Sequence, residues 1–161
     1  MDAVELTPGY DAPDEIRALF TEYTDMLVRL DPGFQLYLNI QHYEDEVRDL
    51  TVKYGLPDGR LYLARVGGEA AGCIALRKLD EERCEMKRLY VRPAFRGQHI
   101  ARRLVDRIIA DARAIGYRRM LLDTLPCLED AVRMYRKLGF RDIPCYNDSP
   151  MDTTLFMGLD L

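Results

Sequence analysis

Between Leu61 and Val91, three strand-length runs follow one another with almost nothing between them. Leu61–Val66 and Ala70–Leu79 meet across Gly67-Gly68, a glycine pair suited to the positive φ angles of a tight hairpin. The turn "LDEE" then leads into Arg83–Val91. Connections this short cannot carry a crossover, so the three runs must be antiparallel neighbours. The next stretch is of another kind. Ile100, Leu104, Ile108, Ala112 and Ile115 form one apolar helical face, with Arg102, Arg103, Asp106 and Arg113 on the other. Gly116 ends that helix in the usual C-terminal manner, and Met120–Leu125 reads as a further strand. An antiparallel meander followed by helix and strand predicts an α/β layered domain with a mixed, mostly antiparallel sheet.

The rest of the chain fits around that frame. "AVELT" is a short strand. Ile16, Leu19, Phe20, Tyr23, Leu27 and Leu30 recur at helical spacing over Pro13–Leu30, with Pro13 suited to the first turn. A second, shorter helix is predicted over His42–Leu50, and "GLPDG" marks a turn. Leu128–Leu138 is a helix stopped by Gly139. Phe140–Pro144 and Thr153–Leu161 are strands around the loop "CYNDSP". There are no repeats, low-complexity segments or linkers, and the 161 residues read as a single domain, 1–161.

Composition narrows the function classes. The acidic start "MDAVELTPGYDAPDE" has no apolar core of a secretory signal, and no apolar run approaches a membrane span, so a cytoplasmic address is expected. Cys73, Cys84, Cys127 and Cys145 lie far apart with no C-x-x-C pair, which supports neither a disulfide framework nor a metal site. Charge is unevenly spread. Residues 1–50 hold 12 Asp or Glu against three Arg, whereas residues 86–107 hold seven Lys or Arg against Asp106 alone. A nucleic-acid module accounts poorly for that basic cluster, because only Tyr90 and Phe95 interleave with it and the chain carries a net charge of −4.

Arg83–Val91 is irregular. Cys84 and Met86 place apolar side chains on even positions, Leu89 and Val91 on odd ones. Faces alternate with period two along a strand, so the switch implies one extra residue near Lys87-Arg88. Such a bulge often borders an active site; a strand end with loose patterning is the other reading. Beyond it, "RPAFRGQHIARRL" reads as a loop that opens a helix near Gly97. Unpaired first-turn amides make an anion site there, with Arg96, Arg102 and Arg103 as cationic donors.

At this point the sequence resembles the GNAT family of N-acetyltransferases. Arg96-Gly97-Gln98-His99-Ile100-Ala101 follows the family's R/Q-x-x-G-x-G/A segment, and "AVRMYRKLGF", Ala131 to Phe140, is similar to its A-x-x-L/M-Y-x-K-x-G-F segment. The resemblance implies acetyl-CoA as donor, with its pyrophosphate on the amides of Gly97, Gln98, His99, Ile100 and Ala101 beside Arg96 and Arg102. The pantetheine arm would pair with the strand backbone of Leu89, Tyr90 and Val91. Two positions depart from the family pattern: His99 stands in place of glycine, and Leu128 where many members carry Asn. Histidine keeps the amide, so with ordinary helical dihedrals at position 99 the anion site is expected to work.

The implied reaction is direct attack of a primary amine, from a small molecule or peptide, on the thioester. Tyr135 matches the family's tyrosine that serves the departing thiolate; its helix face equally permits plain packing. Glu85, beside the suspected bulge, is the first candidate for the base, against the alternative of a solvent-facing carboxylate, and Asp123 is the second. Cys127 has no base near it in sequence, which speaks for a structural thiol. No bound metal, nucleic acid or membrane is expected, a homodimer is left open, and the other class of function is an inactive acyl-CoA-binding or sensing domain.

Overall fold

The computed structural model describes residues 3–161. In chain order these form β1 (Val4–Pro8), α1 (Pro13–Leu30), α2 (Phe34–Ile40), α3 (Tyr43–Arg48) and α4 (Leu50–Tyr54). There follow β2 (Arg60–Val66), β3 (Glu69–Lys78), β4 (Arg83–Val91), α5 (Ile100–Ile115), β5 (Arg119–Thr124), α6 (Glu129–Leu138), β6 (Arg141–Asp142) and β7 (Leu155–Asp160). The strands make one sheet in the order β1-β2-β3-β4-β5-β7-β6. Every pairing is antiparallel except β4 with β5, which the α5 crossover makes parallel. The meander and the mixed sheet are as predicted.

Helices cover both faces, so both sides of each central strand are apolar. Ile100, Leu104, Ile108 and Ala112 of α5 pack on Tyr62, Ala64, Ile74, Leu76 and Met86. On the opposite face Ile16, Leu19 and Phe20 of α1, with Leu50 and Tyr54 of α4, pack on Leu61, Leu63, Cys73 and Ala75. Ala70 to Leu76 of β3 are therefore buried without interruption, which hides the alternation of a half-exposed strand.

Three boundaries differ from the sequence reading. The single helix expected over His42–Leu50 is split, because Asp49 is extended and its carboxylate caps α4 by accepting from the Thr51 amide at 3.0 Å. Helix α2 was not foreseen: at seven residues it is too short for periodicity to show, and it is held by the burial of Phe34, Tyr37 and Leu38 against Leu27 and Leu125. The strand expected over Phe140–Pro144 is reduced to two residues, paired only with Met157 and Gly158 of β7.

Candidate active site

The site begins with a fault in the sheet. Strand β4 pairs Val91 with Gly72 and Tyr90 with Cys73, but the next matched pair is Lys87 with Ala75. One residue of β3 thus faces two of β4, and Arg88 takes a left-handed conformation at φ 58. This is the bulge that the parity switch pointed to. A left-handed arginine costs about 1–2 kcal/mol, so the surroundings must hold it. Its guanidinium donates from Nε and Nη2 to Glu46 at 2.8 and 2.9 Å, and from Nη2 to Gln41 Oε1 at 3.0 Å, above the ring of Tyr43. Burial by itself would raise the Glu46 carboxyl, but the Arg88 charge overcomes it and holds the group at about 2. Across the bulge Gly72 is close-packed: a Cβ there would lie 2.6 Å from the Tyr90 carbonyl oxygen.

The bulge bends β4 away from β5. Their ladder covers only Arg83–Glu85 against Arg119–Leu121, while β5 continues along β7 as far as Thr124. Past Glu85, β4 has no strand on that side, and the gap opens into a cleft of about 640 Å³ including its mouth. Lys87, Arg88 and Leu89 line one wall, Asp123 and Thr124 the other. Tyr23, Tyr37 and Gln41 close it from the α1–α2 side, and Leu128, Ala131 and Tyr135 from α6. The cleft therefore passes through the sheet from one helical layer to the other.

Its polar groups differ from the expected set. Glu85 is 1 % exposed and is absent from the cleft lining. Its carboxylate accepts from Arg77 Nε at 2.6 Å and from the Tyr146 hydroxyl. Burial would raise it, yet the Lys87 and Arg77 charges hold it below the usual carboxylate range. It is thus neither a solvent-facing strand residue nor a free base. Asp123 stands in the cleft wall, where Oδ2 accepts from the Tyr37 hydroxyl and from Asn147 Nδ2 at 2.7 Å. Sequence reasoning missed Tyr37, which lies on the unforeseen α2, and Asn147, one polar residue in a loop of several. Lys87 and Gln41, also missed in this role, donate and accept across the cleft at 2.8 Å.

Tyr135 is 5 % exposed, its ring tilted on Phe140 at 5.7 Å between centroids. Its hydroxyl has no hydrogen-bond partner among the described residues, and burial pushes its pKa far above that of a free phenol. Tyr90 turns its ring to Tyr23, its hydroxyl to Glu22 and its carbonyl oxygen toward Gly72 of β3, and it does not line the cleft. Cys127 is exposed and outside the cleft. The acidic N-terminal half is neutralised in part by ion pairs, with Glu15 on Arg65 and Glu22 on Arg92, both at 2.7 Å, besides Glu46 on Arg88.

The loop also departs from expectation. Helix α5 starts at Ile100, not near Gly97. Gly97 at φ 85 and His99 at φ 60 are both left-handed, so residue 99 is not helical and glycine would suit it. Arg96 Nε donates to the Val91 carbonyl at 3.1 Å, tying the loop to the end of β4. Arg102 is bound to Asp106 at 2.9 Å, and Arg103 reaches back to the Val4 carbonyl at 2.9 Å. Both have surface partners that account for them, which leaves Arg96 and the loop and first-turn amides as the groups that could meet an anion. The exposed His99 ring offsets little of the strain. Replacing it with glycine should raise stability by about 1 kcal/mol, a gain of about 2–4 °C in the thermal midpoint. A lower midpoint would show that the ring makes a contact worth more than the strain.

The chain is similar to known proteins over most of its length. A family model described as the Acetyltransferase (GNAT) family matches residues 17–140. An uncharacterized N-acetyltransferase of Schizosaccharomyces pombe is 37% identical over 150 residues, covering 92% of this chain and 88% of the relative. The fold matches an acetyltransferase from Streptococcus agalactiae with a TM-score of 0.78 at 21% identity, each chain covered in full. It also matches a GNAT family acetyltransferase from Elizabethkingia anophelis, solved with acetyl-CoA bound, with a TM-score of 0.62 at 22% identity over the whole of both. The family match spans the meander, the bulged strand, the loop and both helices around the splay, and the chain belongs to the GNAT family of N-acetyltransferases.

Proposed function

We propose that the protein transfers an acetyl group from acetyl-CoA to a primary amine by direct attack within the splay between β4 and β5. One observation carries this reading: the cleft in the sheet is lined both by an unpartnered tyrosine hydroxyl from α6 and by a carboxylate from β5. A donor entering from the α5–α6 side and an acceptor from the α1–α2 side would meet between them. The residues fit such a donor. The unpaired edge of β4 at Leu89 and Val91 can hydrogen-bond an extended amide arm, and the amides from Gly97 to Ala101 can hold a diphosphate. The thioester supplies an activated acyl carbon.

The amine nitrogen bonds to that carbon, the carbon–sulfur bond breaks, and a proton leaves nitrogen while sulfur gains negative charge. A free alkylamine has a pKa of about 10, so the site must take up the proton. We assign that task to Asp123, directly or through water, in preference to Glu85, whose oxygens are held by Arg77 and Tyr146. Tyr135 has its hydroxyl free to meet the departing sulfur. A phenol raised this far keeps its proton, so it stabilises the thiolate by donating a hydrogen bond rather than by full transfer.

A panel of amines assayed by thiol release tests the reading. Release above the hydrolysis background with at least one amine is expected. Tight coenzyme binding with no reactive amine would make the protein a binding or sensing domain instead.

A further inference from the structure

Lys87 and Gln41 stand in the cleft with donor capacity left over. Lys87 is 8 % exposed, and its ammonium donates to Gln41 Oε1 at 2.8 Å; among the described residues the one carboxylate within ion-pair distance of it is Glu85, at 4.0 Å. The orientation of the Gln41 amide follows from chemistry: Lys87 and Arg88 can only donate, so the atom between them is the oxygen. Gln41 Nε2 is then left buried with no partner. A buried donor left unmet is destabilising, and an acceptor brought by a bound molecule would satisfy it.

Charge points the same way. Lys53, Arg77, Lys87 and Arg88 form one connected network with only Glu46 and Glu85 as counter-charges, a surplus of two positive charges. Lys53 and Arg77 reach solvent, with side chains 21% and 34% exposed, so water screens them. Lys87 has no such outlet. Across the splay the geometry supplies the opposite sign. Continuing the β4–β5 register past Glu85 and Leu121 sets Lys87 level with Asp123. Paired strands lie about 4.8 Å apart, and the splay widens this, leaving room for a molecule with two charged ends a few carbons apart. Asp123 Oδ1 has no partner among the described residues, since Tyr37 and Asn147 both bind Oδ2.

We propose that the acceptor is a free amino acid, its carboxylate held by Lys87 Nζ and Gln41 Nε2 and its amine set against Asp123. This rests on the acetyl-transfer reading and adds the substrate class. Polyamines, the natural choice for an acidic surface, would put a second cation against Lys87.

The test compares thiol release with the standard L-amino acids, β-alanine and γ-aminobutyrate against their primary amides, and against putrescine and spermidine. At least one amino acid should exceed its amide by about tenfold or more in kcat/KM, because the amide leaves the cation unpaired. In Lys87→Met that ratio should fall toward one, mainly through KM for the acid. Gln41→Glu, nearly isosteric, removes the spare donor and neutralises Lys87, so it should lower the ratio too and keeps the test alive if Lys87→Met does not fold. Equal rates with amides or polyamines in the wild type, or an unchanged ratio in the folded variants, would overturn the proposal and leave water as the partner of both donors. If no amine reacts at all, acetyl transfer itself fails. The amino-acid site is then decided by calorimetry of the same acids and amides on the coenzyme-loaded protein, where equal binding would reject it.

Discussion

Tyr135→Phe should fold, bind the coenzyme and turn over about 10²–10⁴-fold more slowly once an acceptor is in hand. The ring packs on Phe140 and fills the wall between α6 and the cleft, so phenylalanine preserves the packing and removes only the hydroxyl. Among the described residues that hydroxyl has no partner, so its loss leaves no protein group unsatisfied. The hydrogen bond to sulfur strengthens as the carbon–sulfur bond breaks, which places the loss in kcat rather than KM. Thioester donors with a better leaving thiol should be less affected. Unchanged turnover, with chemistry shown to be rate-limiting, would return Tyr135 to a packing role and leave the thiolate to water.

Asp123→Asn is expected to cost a similar factor, about 10²–10⁴ in kcat, by removing the group that takes the amine proton. Asparagine fits the same space, and its oxygen can still accept from Tyr37 and Asn147, so the thermal midpoint should change little. Raising the pH should recover part of the rate, because more of the amine then arrives already deprotonated. The paired control is Glu85→Gln, which breaks the ion pair with Arg77 and should act chiefly on stability. If Asp123→Asn keeps its kcat and Glu85→Gln loses it, the base reverts to Glu85 and the proposed arrangement of the cleft is wrong.

Much of the architecture was legible because its signals are local. Glycine pairs and short turns announce hairpins within a few residues. The α5 face repeats on a helical period, and Gly116 and Gly139, at φ 111 and 105, are the left-handed stops that a side chain would strain. Even the bulge was written in the parity of Cys84, Met86, Leu89 and Val91, since a strand cannot change face without an added residue. Tyr135 came with the family segment, and the structure sets it in the cleft wall.

Other features depended on which distant residues arrive together. Glu85, Lys87 and Asp123 are indistinguishable in kind along the chain: charged residues in strands. Only the packing of Arg77 and Tyr146 on Glu85, and of Tyr37 and Asn147 on Asp123, separates a carboxylate spent on structure from one facing the cleft. Likewise the basic cluster read from residues 86–107 thins once its partners are seen. Arg88, Arg92 and Arg102 meet Glu46, Glu22 and Asp106, two of them in the acidic half that looked like a field for cations. His99 needed the tertiary fold as well, because its left-handed backbone, at φ 60, is not signalled by its residue type or its neighbours in sequence. The periods and turns of the sequence determined the layers and the place of the splay. Burial and charge pairing across more than forty residues decided which groups inside it remain free to bind and react, because a side chain's solvation and partners are properties of the assembled fold.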